Sequence, residues 1–189
     1  MKKKLLLLLI GIAAFALPVQ PCVATAETRL IIDRQYYPCA LNAIREAKKT
    51  INLAIFQIRY YPKYPESPSN LLIESLISAA KRGVEVEVCI ERSEGYNEET
   101  NAFNLESAKR LAANKVKVYL DNPEKTMHAK FLVVDGRLVL LGSTNWSYYS
   151  LNFNRETNVM VESKEMASQL LQYFSELKKE SALLEAESQ

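Results

Sequence analysis

The spacing of apolar residues along the chain predicts helices and strands in alternation. Apolar residues recur three to four positions apart, as on one helix face, in four segments: residues 38–49, 69–80 (with Ser69 as N-cap), 105–114 and 166–177. Short apolar runs or alternating patterns typical of strands occupy six others: residues 51–58, 84–91, 116–120, 127–134, 138–141 and 157–161. Residues 59–68 and 92–101 are predicted loops, and the tail after Lys179 a frayed helix end. This order predicts an α/β fold, a layered α-β-α sandwich with a mixed sheet.

The first 26 residues have the three parts of a secretory signal peptide. Three lysines at residues 2–4 precede an unbroken apolar stretch at residues 5–19, and residues 24–26 have the sequence A-T-A. A membrane-spanning helix needs about 20 apolar residues, so we expect cleavage and no stable membrane span afterwards; an uncleaved anchor is the alternative. The expected product is a single domain at residues 27–189, exported to the periplasm or secreted.

Composition and charge limit the kinds of binding site that the chain can form. Removal of residues 1–26 takes away three lysines and no acids, which lowers the formal net charge from +2 to −1. A uniformly basic nucleic-acid-binding surface is therefore excluded, and any phosphate site must be local. The one histidine, His128, excludes a multi-histidine metal centre within one chain. Cys39 and Cys89 either pair in an oxidising compartment or remain free thiols, and the sequence leaves both options open.

Residues 127–146, MHAKFLVVDGRLVLLGSTNW, are predicted to form a hairpin. Asp135-Gly136 between two apolar runs is a strong signal for a two-residue turn. That turn would place His128 opposite Ser143. Because alternate side chains of a strand share a face, four polar residues would then lie on one surface: His128, Lys130, Ser143 and Asn145.

These residue types suit phosphodiester chemistry. A neutral imidazole can attack phosphorus and form a covalent intermediate, while amine and amide donors stabilise charge on the phosphate oxygens. The pattern H-x-K-x4-D-x6-G-S-x-N, from His128 to Asn145, resembles the HKD signature of the phospholipase D superfamily. The strand–helix order and an acid at Glu156 resemble the short single-motif branch, which includes a bacterial periplasmic endonuclease. The resemblance implies a phospholipase D-like fold.

The resemblance also implies roles for individual residues. The implied catalytic residues are His128, Lys130, Asp135 and Glu156, and the implied phosphate-binding residues are Lys130, Ser143 and Asn145. His128 would be the nucleophile that forms a phosphohistidine, and Glu156 would orient its ring. For Asp135 a turn-forming role is the alternative. No metal and no other cofactor is implied.

One histidine is too few for the complete reaction. The reaction needs a nucleophile and a general acid for the leaving oxygen, and superfamily members with two signatures supply both histidines from one chain. Either another group serves as the acid, or a second copy of the chain contributes its own His128. Because two-fold symmetry is the commonest homo-oligomer arrangement, we expect a homodimer with a composite active site.

The sequence leaves the substrate open. Aromatic and basic residues cluster at residues 59–64 and 146–155, and such side chains stack on single-stranded bases, lie at a lipid interface or pack a core. The leading interpretation is a metal-independent phosphodiester hydrolase that acts on nucleic acid. The alternatives are a phospholipase D that cleaves phospholipid headgroup esters, and a non-catalytic protein that binds nucleic acid or membranes.

Overall fold

The computed structural model describes residues 27–93 and 97–186. The strands in this part of the chain are Glu27–Ile32 (β1), Thr50–Ile55 (β2), Glu85–Ile90 (β3), Lys117–Leu120 (β4), Lys130–Val134 (β5), Leu138–Gly142 (β6), Thr157–Glu162 (β7) and Ala182–Leu183 (β8). They form one sheet in the order β1-β7-β6-β5-β2-β3-β4-β8. Strand β2 pairs in parallel with β3, and β3 with β4, whereas the remaining neighbours are antiparallel. The predicted mixed sheet is confirmed.

Helices cover both faces of this sheet. They are Tyr36–Glu46 (α1), preceded by a 3-10 turn, Pro68–Lys81 (α2), Glu98–Ala112 (α3), Tyr148–Asn152 (α4) and Lys164–Glu180 (α5). Apolar side chains of α1, α2 and α3 pack with Leu53 in one core, and those of α5 pack with Ala54 in the other. Because successive side chains of a strand point to opposite faces, the apolar run of β2 serves both cores. The architecture is the predicted α-β-α sandwich.

The start of α2 differs from the prediction. The Ser67 hydroxyl accepts a hydrogen bond from the Asn70 N–H at 3.3 Å, and Pro68 occupies the first helical position, where a missing N–H is tolerated. Ser69 lies one residue inside the helix, and its hydroxyl contacts the carbonyl oxygens of Arg59 and Trp146 at 2.6 and 2.7 Å. The N-cap is therefore Ser67, and the choice of Ser69 was wrong.

Other element boundaries also needed correction. Helix α3 begins at Glu98, inside the segment predicted as a loop. Strand β1 and helix α4 were not predicted, because only Ile31 of β1 is buried and α4 has five residues. After α5, the chain does not fray as helix, since Ala182 and Leu183 pair with β4.

The hairpin of β5 and β6 has a register one residue away from the predicted one. Asp135 and Gly136 both have positive φ, and the Arg137 N–H donates to the Val134 carbonyl at 3.1 Å, so the two-residue turn itself forms. However, Val134 pairs with Leu138 rather than Arg137. Arg137 is an extra residue in the ladder, and its carbonyl accepts instead from the N–H of Ser163. The predicted placement of His128 opposite Ser143 is therefore wrong.

Cys39 and Cys89 are both free. Cys39 packs against the core under α1 to α3, and Cys89 lies in the core under α5, so the sheet separates the two thiols. The expected signal peptide at residues 1–26 lies outside the described residues. Among the helices of residues 27–93 and 97–186, none has the length and apolar character needed to cross a bilayer.

Candidate active site

One edge of the sheet collects the polar residues of the signature. Strand β2 ends there before Phe56, and β3 ends there before Glu91. Strand β5 runs antiparallel to β2, and β7 runs antiparallel to β6, so both begin at this same edge. The first residue of β5 is Lys130, and Glu156 directly precedes β7. The ends of adjacent strands thus bring together residues that are far apart in sequence.

His128 and Lys130 form the first part of the site. His128 is exposed, and its ring lies 4.6 Å, centre to centre, from the ring of Phe56. Lys130 is 8% exposed, and its Nζ donates to the His128 carbonyl oxygen at 2.7 Å while lying 4.9 Å from the centre of the Phe56 ring. No hydrogen bond to the His128 ring comes from the described part of its own chain. The imidazole is thus held from one side and open on the other.

Burial sets the electrostatics of Lys130. It lowers the pKa of the Lys130 amine to about 8, and the charges of Glu156 and Glu91 act in the opposite direction. Glu91 is almost fully buried, and its carboxylate accepts from the N–H of Met127 and the hydroxyl of Ser93, each at 2.7 Å. The Glu91 carboxylate thereby holds the residue before His128. Its position directly after a buried parallel strand was a signal that the sequence reasoning missed.

Glu156 is the centre of the second part of the site. Its buried carboxylate accepts the hydroxyl protons of Ser143 and Ser150. The Ser150 hydroxyl also accepts from the backbone N–H of Asn145 at 3.0 Å. Since Glu156 bonds these serines and not His128, the predicted orientation of the His128 ring by Glu156 is not seen within one chain. Ser150 was missed because nothing in its local sequence distinguishes it from other helix serines.

Asn145 presents a free donor, whereas Ser143 does not. The Asn145 Oδ1 is buried with no partner in the described structure, and its Nδ2 has no acceptor among the described residues either. The Ser143 hydroxyl donates to Glu156 and accepts from the Thr157 N–H at 3.1 Å. Ser143 is therefore placed to support Glu156 and the backbone, and Asn145 is placed to contact a ligand.

Asp135 does not belong to this site. It follows β5 at the opposite end from Lys130, five residues or about 17 Å along the strand. Its carboxylate accepts the backbone N–H groups of Lys48, Lys49 and Thr50 at 2.7 to 3.2 Å. The prediction of Asp135 as a catalytic residue is therefore wrong. Its carboxylate oxygens instead join the end of β5 to the start of β2.

Gly142 is required by packing. A Cβ at this position would collide with the carbonyl oxygen of Thr157 and the side-chain oxygen of Asn158 on β7. Asn158 in turn accepts from the Thr144 N–H and donates to the Thr144 hydroxyl. The close approach of β7, rather than of a ligand, therefore explains the glycine in this signature.

The aromatic residues after Asn145 divide into two groups. Trp146 is fully buried, and its Nε1 donates to the Tyr36 hydroxyl at 3.1 Å, so it belongs to the core. Tyr148, Tyr149 and Phe153 are 43%, 69% and 62% exposed. These three rings remain available to a substrate or partner.

The donor set offers no metal site in residues 27–93 and 97–186, where no three His, Cys, Asp or Glu side chains are grouped to hold an ion. The chemistry available at this edge consists of an imidazole, an amine and an amide.

Comparison with known proteins identifies the family. The family model described as "Cardiolipin synthase, PLD-like domain" matches residues 40–178. The chain belongs to this phospholipase D-like family, and the resemblance inferred from the HKD signature is confirmed.

Curated relatives share moderate sequence identity. A phospholipase D of Rickettsia typhi is 28% identical over 113 residues, which cover 60% of this chain and 52% of the relative. A cardiolipin synthase of Listeria monocytogenes is 32% identical over 142 residues, which cover 72% of this chain and 26% of the relative. The chain thus spans about half of the first protein and about a quarter of the second.

Solved structures confirm the fold. The phospholipase D family member Nuc of Salmonella typhimurium superposes with a TM-score of 0.72 at 19% identity, covering 85% of this chain and 99% of that one. NucT of Helicobacter pylori superposes with a TM-score of 0.69 at 18% identity, covering 84% and 99%. The fold is phospholipase D-like.

Proposed function

We propose that the protein is a metal-independent phosphodiesterase that cleaves nucleic acid through a covalent phosphohistidine at His128. The observation that carries this proposal is that the His128 ring and the Lys130 amine lie side by side against the ring of Phe56. An exposed imidazole with no hydrogen-bond partner in residues 27–93 and 97–186 is available for attack, and a buried amine beside it is available to bind the phosphate. Membership in the phospholipase D-like family supports the reaction class.

The proposed reaction has two steps. In the first, a ring nitrogen of His128 bonds to phosphorus, the bond to the leaving oxygen breaks, and a general acid protonates that oxygen. Lys130 and the Asn145 amide stabilise the charge on the non-bridging oxygens. In the second, water attacks phosphorus, a general base takes its proton, and the N–P bond breaks to restore His128.

The general acid is proposed to come from a second copy of the chain. The described residues supply one imidazole, and its ring has no hydrogen-bond partner among them. A two-fold axis beside this sheet edge would bring two His128 rings to one phosphate. Light scattering coupled to an activity assay should find a dimer in the active fraction, and an active monomer would refute this part of the proposal.

Nucleic acid is the substrate that the surroundings of the site favour. Exposed tyrosines beside Asn145, together with Arg59 and Lys63, suit stacked bases and a phosphate chain. The names of the curated relatives, phospholipase D and cardiolipin synthase, support the second candidate, a lipid phosphodiester.

A substrate panel tests the proposal. Purified wild-type protein and H128A are incubated in chelator with single-stranded DNA, RNA, duplex DNA and phospholipid vesicles. We expect wild-type turnover of nucleic acid and none by H128A. Turnover of lipid alone would replace nucleic acid by the second candidate, and recovery of activity only after addition of a divalent ion would contradict the metal-independent mechanism.

A further inference from the structure

A groove of about 710 Å³ lies beside the signature and is not used by the proposed chemistry. Its walls come from the loop before α2 and from the start of α4. Four tyrosines line it: Tyr61, Tyr64, Tyr148 and Tyr149. A groove of this volume is large enough for a small molecule or a short segment of a polymer.

The loop wall of this tyrosine groove is held in a defined conformation. The buried Asn70 accepts from the Tyr61 N–H at 2.8 Å and donates to the carbonyl oxygens of Tyr61 and Tyr64 at 2.9 and 3.0 Å. The Tyr61 hydroxyl accepts from the Tyr148 N–H at 2.9 Å, which joins the two walls. The groove is therefore formed before any ligand binds, which lowers the entropy cost of binding.

Both walls of the tyrosine groove are joined through the backbone to Asn145 of the candidate phosphate site. The N–H of Arg59 donates to the carbonyl of Trp146 at 3.0 Å, and Trp146 follows Asn145 directly. Tyr148, in the other wall, is three residues from Asn145. A polymer whose phosphate contacts Asn145 would thus have its neighbouring unit next to the groove.

The residues that form the walls favour a nucleic-acid base over a lipid acyl chain as the ligand. The described residues that line the groove include two prolines and two cations, Arg59 and Lys63, against one acid, Glu66. None of them is Leu, Ile, Val or Met. An acyl chain is bound by aliphatic walls, whereas the flat faces of tyrosine stack on bases, and the excess of cations suits a phosphate chain.

The rings are exposed in the manner that stacking requires. Tyr64 and Tyr149 are 67% and 69% exposed, and Tyr149 packs edge-on against Tyr148 at 5.7 Å, centre to centre. Arg59 is fixed with its guanidinium 4.8 Å from the centre of the Tyr61 ring. Edge-on packing supports one ring with another and leaves ring faces free.

We propose that the tyrosine groove is a subsite for single-stranded nucleic acid, in which Tyr64 and Tyr149 stack on bases next to the cleaved phosphodiester. This inference rests on the proposed function for the identity of the polymer. The binding itself requires no turnover, so the two can be tested separately.

The test measures binding of fluorescent single-stranded DNA to H128A by anisotropy. In that background, Y64A and Y149A should each weaken binding about 5- to 140-fold, which is the range for loss of one base–aromatic stack. The matched control is Y173A, which removes a tyrosine that is 43% exposed on α5, across the sheet, and it should bind as the background protein does.

A second ligand separates stacking from charge. An oligonucleotide of the same length with abasic residues keeps its phosphates and lacks the bases. It should bind H128A more weakly than the normal oligonucleotide, and Y64A and Y149A should cause no further loss. Equal losses on both ligands, or unchanged binding of normal DNA by both variants, would overturn the subsite, as would a loss confined to phospholipid vesicles.

Cleavage of single-stranded DNA by the wild-type protein in chelator tests the proposed function independently. If DNA is not cleaved while the tyrosine variants of H128A lose DNA affinity, the subsite stands and the proposed function fails. If DNA is cleaved while DNA binding is insensitive to the tyrosines, the proposed function stands and the subsite fails.

Discussion

The charged residues at the two ends of β5, Lys130 and Asp135, differ in how many hydrogen-bond partners they have. At one end, the amine of Lys130 has a single hydrogen bond within the described chain, and burial lowers its pKa to about 8. At the other end, burial acts to raise the pKa of Asp135, but the backbone N–H groups of Thr50, Lys48 and Lys49 outweigh it and hold the pKa below its usual range. A charge that accepts several backbone hydrogen bonds stabilises the fold, whereas a charge with few partners remains available to a ligand.

Removal of the imidazole should have the largest effect. H128A is expected to lower kcat by about 10⁴-fold or more, because no other described group is placed as the nucleophile. Since His128 is exposed, the midpoint of thermal unfolding should not change. A variant that keeps more than a tenth of the wild-type kcat would remove the distinction between the two ends of β5.

Lys130 should give the next largest effect. K130Q is expected to lower kcat/KM by about 10² to 10³-fold, through the loss of one preorganised charge at the phosphate. In the wild-type enzyme without substrate, the Lys130 amine is protonated below pH about 8 and neutral above it. The value of kcat/KM should therefore fall as the pH rises through about 8.

K130R is the control for this assignment. Arginine remains charged throughout this range, so the residual activity of K130R should lose the alkaline decrease. An unchanged alkaline decrease in K130R would assign it to another group.

Glu156 should have an intermediate effect. E156Q replaces one acceptor oxygen by a donor, so either Ser143 or Ser150 loses its partner, and we expect a 10- to 100-fold loss of kcat from misplacement of Asn145. The matched control is E162Q on the same strand, where an exposed Glu162 pairs with Arg137. Exposed pairs contribute little, so activity measurements on E162Q should match the wild type.

Asp135 should have the smallest effect on activity and a clear effect on stability. D135A is expected to lower the free energy of unfolding by about 1 to 3 kcal/mol, through the loss of charge-assisted hydrogen bonds to backbone, with kcat unchanged. D135N keeps one acceptor and tolerates the positive φ, so denaturant unfolding should show a smaller loss. A tenfold decrease in the kcat of folded D135A would restore Asp135 to the chemistry.

The sequence predicted the parts of the fold that rest on strong local patterns. The alternation of residues 84–91 and the apolar run of β2 marked buried strands, since both cores impose a period on the sequence. Strand β1 and helix α4 were missed because each buries few side chains. The periodicity of apolar residues reveals an element only where one of its faces is buried. The hairpin turn was recognised, but the extra residue at Arg137 depends on its bond to Ser163, which no local pattern encodes.

The candidate site was predictable in its residue types and not in its connections. The signature pointed to His128, Lys130 and Asn145, which the structure places at one sheet edge, where their side chains have few or no hydrogen-bond partners in the described part of the chain. It could not indicate that Glu156 bonds Ser150, or that Glu91 holds Met127. Both contacts join distant segments, and both depend on the final strand order.

Detection of the covalent phosphohistidine is the decisive experiment on the proposed mechanism. Wild-type protein is quenched with acid-free denaturant during turnover of a diester labelled at phosphorus, digested, and sequenced by mass spectrometry. We expect a phosphorylated peptide that carries the modification on His128, formed and lost at the rate of turnover. Turnover with no label on the protein, or with the label on another residue, would contradict it.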